Sequence, residues 1–217
     1  MTRDDLFKAI DIADADRLRA VLASDSRLAS SRSADGVSAV LFTLYLAKYD
    51  LTKILLEQEP DLDIFDLAAL DMPDELVKLL EQDGGDPDQI SGDGFSALHL
   101  ACFFGSLDTA ALLVEKGADV NIHTDNGSDL RPLHSACAAG HGAIVGLLLK
   151  AGAKPDVIQV GGYTPLMAAA NLGNAPVVDL LLDYGANPAV KSDDGRTAAD
   201  FARSAGFPAL VGKLSYD

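Results

Sequence analysis

Lysine and arginine are scarce in this chain. Its 217 residues include 17 Lys and Arg against 33 Asp and Glu, which gives a net charge of −16. Nucleic acids and anionic membrane surfaces bind basic surfaces, so neither class of partner is expected. Residues 1–91 hold 20 of the acidic and 9 of the basic side chains. We expect this acidic part to attract a basic partner, or else only to keep the surface well solvated.

Cysteine and long apolar runs are also scarce. The two cysteines, Cys102 and Cys137, are too few for a disulfide framework and are expected to be small core residues. No apolar run approaches the roughly 18 residues that a membrane-spanning helix needs. The first ten residues include Asp4 and Asp5 and lack the apolar stretch of a secretory signal. We therefore expect a cytoplasmic protein, if the chain is the full gene product.

A repeat of about 33 residues runs through the sequence. Its clearest anchors are His99, His134, Met167 and Asp200, which follow one another at steps of 35, 33 and 33 residues. An apolar cluster such as 147–149 lies 13 residues beyond the anchor in most units. The same rule places two earlier anchors at Leu41 and Asp66. Repeats of this length indicate a stack of small units that share one continuous core.

Turn signals recur between the apolar clusters. A glycine such as Gly117 stands just past a helix end, where the left-handed conformation is needed. A tight-turn dipeptide such as Asp93-Gly94 follows, and then a Ser or Thr such as Ser96 that can cap the next helix. Pro132 and Pro165 occupy first helical positions, where no amide hydrogen is required. Each unit is thus predicted to contain two short helices joined by a tight turn.

At these residues the sequence resembles the ankyrin repeat family. Residues 93–99, with Gly105 and residues 117–121, match the family pattern D-G-x-T-P-L-H, G and G-A-D-V-N. Segments 131–141 and 164–173 repeat it, and the resemblance covers essentially the whole chain, most clearly residues 92–205. It implies an all-α fold, an ankyrin-repeat solenoid of about seven stacked helix pairs with short β-hairpin or β-turn connections.

Two departures from the regular spacing carry structural expectations. From Leu41 to Asp66 the step is 25 residues, so eight residues that would form a hairpin are absent. The third unit should therefore start its first helix near Asp63 and leave a notch in the row of hairpins. From His99 to His134 the step is 35, so the hairpin around residues 126–130 should be longer than its neighbours.

These spacings divide the chain into a single domain of seven units. We expect the first and last units to be caps with a more polar outer face. The predicted units are 1–34 (N-terminal capping helix pair), 35–62 (lacking the following hairpin), 63–91, 92–124, 125–160, 161–193 and 194–217 (C-terminal cap).

The histidines suggest metal or catalytic chemistry at first sight. By the resemblance, however, His99 and His134 hydrogen-bond to backbone in the neighbouring turn, and His141 also holds a structural place. His123, with Asp125 two residues on, leaves open a weak surface metal site, but the spacing matches no known zinc motif. We predict no catalytic residue, no metal and no cofactor.

The resemblance also places partners at the hairpin tips and on the exposed side of the first helices, the concave face. Here these positions carry apolar and aromatic side chains that the core does not require, as at interfaces. The predicted partner-binding residues are Tyr45, Phe95, Phe103, Phe104, Leu130 and Tyr163.

These residues predict a non-catalytic protein–protein interaction module that binds another protein and is itself a monomer. The central units should contribute most of the binding energy. Two alternatives stay open at this point. The concave face could close on a second copy in a self-associating scaffold, or His123 and Asp125 could serve a small-ligand or metal-binding protein or an enzyme.

Overall fold

The chain folds into a stack of short helices. The computed structural model describes residues 1–82 and 85–215, and in these residues it contains fourteen α-helices, one short 3-10 helix (Ser26–Ser30) and, in place of strands, isolated β-bridges. The first helices of the seven pairs are α1 (Arg3–Asp11), α3 (Ala39–Tyr45), α5 (Ile64–Ala69), α7 (Ala97–Phe104), α9 (Pro132–Ala139), α11 (Pro165–Leu172) and α13 (Ala198–Ser204). The second helices are α2 (Ala15–Ser24), α4 (Tyr49–Leu56), α6 (Pro73–Leu80), α8 (Leu107–Glu115), α10 (Gly142–Lys150), α12 (Ala175–Asp183) and α14 (Pro208–Leu214). The predicted all-α solenoid is confirmed. The pairs are called units 1 to 7 below; their exact boundaries remain a prediction.

The helices begin where the sequence supplies caps. Ser38 accepts a hydrogen bond from the backbone N–H of Leu41 at 2.9 Å, and Thr164 accepts one from Met167 at 3.3 Å. Each satisfies an amide that the first turn leaves without a partner. Pro132 is the first residue of α9. None of the described helices is long and apolar enough to cross a bilayer.

Small residues at equivalent positions let the first helices approach one another. α5, α7, α9, α11 and α13 pack side by side, and the second helices cover them from outside. The contact positions are alanines with no exposed surface, and a fully buried leucine lies on each of three outer helices. The alanines are Ala68, Ala101, Ala136, Ala169 and Ala202, and the leucines are Leu113, Leu148 and Leu181. Cys102 and Cys137 are buried and unbonded in this core, as expected.

Backbone hydrogen bonds join the hairpins into a row. The N–H of Asp125 donates to the carbonyl of Gly94 at 2.9 Å, and that of Asp193 donates to Gly161 at 2.9 Å. The hairpin of unit 5 is the long one. Its closing hydrogen bond runs from the Thr124 N–H to the Leu130 carbonyl at 3.1 Å. This bond spans two residues more than the equivalent bond in the regular hairpins. The expectation from the 35-residue step is therefore confirmed.

Unit 3 has no hairpin, but the expected notch is closed. α5 begins at Ile64 and is capped by Asp63, whose carboxylate accepts from the Asp66 N–H at 2.9 Å. The hairpin of unit 4 rests directly on that of unit 2. A Cβ on Gly92 would lie 1.9 Å from the carbonyl oxygen of Asp35. The predicted start of the third unit near Asp63 without a hairpin is confirmed, but the expected notch is closed because the hairpins of units 2 and 4 lie in contact over the short unit.

Two buried histidines tie unit 4 to unit 5 and unit 5 to unit 6. The Nδ1 of His134 accepts from the Arg131 N–H at 3.0 Å, and its Nε2 donates to the carbonyls of Val157 and Tyr163 at 3.2 and 3.3 Å. His99 donates in the same way to the carbonyl of Leu130 at 3.2 Å. The structural role expected of these two rings is confirmed.

Burial also sets the charge state of these rings. It lowers the pKa of His99 and of His134 to about 4, because an imidazolium would lose its hydration there. Asp66 takes the equivalent position in α5. Burial raises its pKa above the ordinary range, and the neighbouring Asp63 carboxylate adds to the rise. Because of their lowered pKa values, His99 and His134 are neutral in the folded chain at neutral pH.

These shifts make the free energy of unfolding depend on pH. Between about pH 4 and 6.5 the unfolded chain protonates both histidines and the folded chain does not. Each histidine thus adds stability as the pH rises through this range. Asp66 acts in the opposite direction, because the folded chain keeps a proton that the unfolded chain has lost. With two groups against one, stability should rise with pH across this range.

We expect His134→Ala to lower the free energy of unfolding at pH 7 by about 1–3 kcal/mol, since buried backbone groups lose their partners. The same change should flatten the rise between about pH 4 and 6.5, because one histidine then opposes one carboxyl group. Urea denaturation across this range measures both effects. An unchanged midpoint together with lost partner binding would instead make His134 a functional residue.

Candidate binding groove

An apolar groove lies where the hairpins meet the first helices of units 4 to 6. It encloses about 440 Å³, within the range of roughly 300–1,000 Å³ that ligand sites commonly have. Five of the six predicted residues line it: Tyr45, Phe95, Phe103, Leu130 and Tyr163. The other lining residues are His99, Leu100, His134, Ser135, Ala138, Gln159, Thr164, Met167, Ala168, Asn171 and Phe201.

Phe103 is the most exposed aromatic side chain of the groove. It lies in the last turn of α7 and keeps 50% of its surface exposed, although its ring packs edge-on against Phe104 at 5.1 Å. Phe95, before the start of α7, meets the His99 ring edge-on at 6.0 Å. An exposed phenylalanine beside an apolar groove has no role in the core, so Phe103 is available to a bound partner.

Tyr45 forms the wall at the unit 2 end. Its ring stacks on Phe104 with centroids 5.9 Å apart, and its hydroxyl donates to the Asp93 carboxylate at 2.7 Å. Burial and this carboxylate raise the pKa of Tyr45, so the phenol stays protonated. Phe104 itself is half-buried, packs against a small core cluster with Leu41 and Leu100, and does not line the groove. It supports the wall from behind.

Phe201 of the last unit closes the other end. Its ring lies edge-on to Tyr163 at 5.6 Å, and the Arg196 guanidinium sits 4.1 Å above it. Arg196 is in turn paired with Asp194 at 2.7 Å. Phe201 is not among the predicted binding residues, because the last unit was expected to be only a cap. An aromatic residue next to the anchor Asp200 is the sequence signal that could have indicated its place in the groove.

Small residues form the floor of the groove. Ala138 on α9 is exposed, and Ala168 on α11 is half-buried. Asn171 and Gln159 supply polar groups among these apolar walls. A narrow apolar floor with a few amide groups can hold apolar side chains and also offer hydrogen bonds to a bound backbone.

Reactive groups are engaged elsewhere or buried. The nitrogens of His99 and His134 are occupied by backbone or serine groups, and burial raises the pKa of both Cys102 and Cys137. His123 is exposed, with Nδ1 4.0 Å from a carboxylate oxygen of Asp129. Across residues 1–82 and 85–215, no three His, Cys, Asp or Glu side chains are grouped as metal ligands.

Relatives were found among known proteins for the repeat region. ADP-ribosylation factor GTPase-activating protein AGD2 of Arabidopsis thaliana is 33% identical over 108 residues, which is 47% of this chain and 14% of that protein. BCL-6 corepressor-like protein 1 of Homo sapiens is 34% identical over 97 residues, or 45% of this chain and 5% of that protein. Protein fem-1 homolog C of Homo sapiens is 38% identical over 81 residues, or 31% of this chain and 13% of that protein. The chain thus spans only a small part of each of these relatives.

A family model, described as ankyrin repeats in three copies, matches residues 64–159 and 133–215. The two matches together cover well over half of the chain. They include all of the groove except Tyr45. With the seven helix pairs, the neutral bridging histidines and the row of hairpins, they show that the chain belongs to the ankyrin repeat family.

Proposed function

We propose that the chain is a non-catalytic protein–protein interaction module and that the apolar groove is its partner-binding site. The observation that carries this proposal is Phe103, half exposed beside a groove whose other aromatic residues are fixed in place. Fixed aromatic side chains suit an interface, because little entropy is lost when a partner orders them. Ankyrin repeats are in general interaction modules, which supports the same class of function.

We propose further that the chain acts as a monomer in the cytoplasm. Its net charge of −16 opposes close approach of two copies. A non-catalytic role also fits the groove. Its two histidines are neutral and hydrogen-bonded, so neither offers a free nitrogen as a general base. Light scattering after size exclusion tests the monomer, and a dimer that persists at high salt would favour self-association.

Two alanine substitutions in unit 5 form a matched test of the groove. Ala138 lies on α9 in the groove, and Ala143 is exposed on α10 and does not line it. Ala138→Glu should weaken partner binding by about tenfold or more, because it places a charge on the apolar floor. Ala143→Glu adds the same charge and side chain and should bind as the wild type does.

Affinity capture from native cells, followed by calorimetry with the purified partner, measures this difference. The proposal requires a partner that the wild type and Ala143→Glu retain and that Ala138→Glu loses. A partner retained equally by both variants would place the interface outside the groove.

Two adjacent phenylalanines should separate binding from stability. Phe103→Ala should cost about 1–3 kcal/mol of affinity for the captured partner and leave the free energy of unfolding within about 0.5 kcal/mol of the wild type. Phe104→Ala should mainly destabilise the fold, because its ring packs behind Tyr45. Calorimetric binding and urea denaturation give the two readouts. Wild-type affinity in folded Phe103→Ala would argue against the groove as the main site.

A further inference from the structure

A second concavity adjoins the groove, and it is acidic. It encloses about 500 Å³ and shares Tyr45 with the groove as a common wall. Its lining residues are Ser33, Asp35, Val37, Phe42, Tyr45, Gly92, Asp93, Asp125 and Asn126. Three carboxylates from three separate hairpins therefore border one depression beside the apolar groove.

The closed gap at unit 3 brings these carboxylates together. Asp35 belongs to the hairpin of unit 2 and Asp93 to that of unit 4, and the two hairpins touch at Gly92. The hairpin of unit 5 adds Asp125, whose N–H is fixed on Gly94 at 2.9 Å. With a regular hairpin in unit 3, the first two carboxylates would be one repeat further apart.

The carboxylates of the acidic concavity are not paired with cations, whereas two carboxylates in the hairpins of later units are. Asp129 is paired with Arg131 at 2.6 Å, and Asp194 is paired with Arg196 at 2.7 Å. Within the described residues, no Lys, Arg or His nitrogen lies within 4.0 Å of the carboxylates of the acidic concavity. The nearest cation on these hairpins, Arg32, donates to the Gly36 carbonyl at 3.2 Å and is paired with Asp63 at 2.7 Å, so the three carboxylates keep no direct ion pair.

Hydrogen bonds orient the middle carboxylate of the three. Asp93 accepts from the Tyr45 hydroxyl at 2.7 Å and from the Ser91 hydroxyl at 2.5 Å. Asp35 and Asp125 are exposed, and neither carboxylate accepts a hydrogen bond from another described residue. One carboxylate is thus held in place by the wall of the groove, and two remain accessible to a cation.

We propose that the groove takes a linear peptide segment in which a large apolar side chain is followed or preceded, within two residues, by lysine or arginine. This rests on the proposed function and names the chemistry of the partner. The apolar side chain enters the groove beside Phe103, and the cation reaches the carboxylates of Asp35 and Asp125. In an extended peptide, residues two apart project to the same side at a spacing of roughly 7 Å. Tyr45 lines both depressions, so side chains of one extended segment can enter them on either side of this residue.

The structure favours this occupant over two others. A second copy would bring its own charge of −16 toward an acidic site. A small apolar molecule would fill the groove but would make no use of the acidic concavity. Lysine and arginine have long apolar stems that can lie along the Tyr45 wall while the charged end stays solvated.

Selection from a random peptide display library on the immobilised full chain tests the proposal. We expect the enriched peptides to carry Lys or Arg within two residues of Phe, Trp, Leu, Ile or Met. The strongest peptide, made synthetically, should lose about tenfold in affinity for the double variant Asp35→Asn/Asp125→Asn. The control Asp108→Asn/Asp183→Asn removes two exposed acids from second helices and should bind as the wild type does.

The outcomes separate this inference from the proposed function. Peptides that Ala138→Glu fails to bind, but that show no preference for Lys or Arg, would overturn the inference and leave the groove as the interface. Equal weakening by both double variants would also overturn it, because the effect would then follow net charge alone. Peptides bound equally well by Ala138→Glu, or no enriched peptide, would overturn the linear-peptide site, and affinity capture would then decide the proposed function separately.

Discussion

The contact between the hairpins of units 2 and 4 is the constraint on which the binding side of this protein depends. Eight residues that would form a hairpin in unit 3 are absent, and Gly92 lies directly on the backbone of Asp35. Because no side chain intervenes, the two hairpins approach closely enough for Tyr45 to reach Asp93 at 2.7 Å. The absence of a hairpin in unit 3 thus allows Tyr45 to form the end wall of the groove and brings the acidic residues together beside it.

The stack itself is held by apolar contacts and by buried polar groups that remain neutral. Fully buried alanines allow close packing of the first helices, and the rings of His99 and His134 bridge to the hairpin of the next unit. Burial keeps these imidazoles uncharged, so they serve as hydrogen-bonding groups. Because buried residues hold the stack together, residues that the repeat does not need for folding, such as Phe103, remain available to bind a partner.

Local spacing accounts for what the sequence could predict. The helix pairs, their caps and the long hairpin of unit 5 follow from residues close together in the chain. Five of the six predicted binding residues line one groove for the same reason, since equivalent slots align along a solenoid. The inward packing of Phe104, the closure over unit 3 and the place of Phe201 depend on contacts between separate units. A repeat pattern records which slot a residue occupies, but not how far neighbouring units shift when a segment is missing.

A double-mutant cycle on Tyr45→Phe and Asp93→Ala tests most directly whether units 2 and 4 are joined across the short unit. The free energies of unfolding of the wild type, the two single variants and the double variant give the coupling between the hydroxyl and the carboxylate. A hydrogen bond from a partly buried phenol to a carboxylate should give a coupling of about 1–3 kcal/mol. Additivity within about 0.5 kcal/mol would contradict the account, because unit 2 and the hairpin of unit 4 would then be energetically independent at this contact.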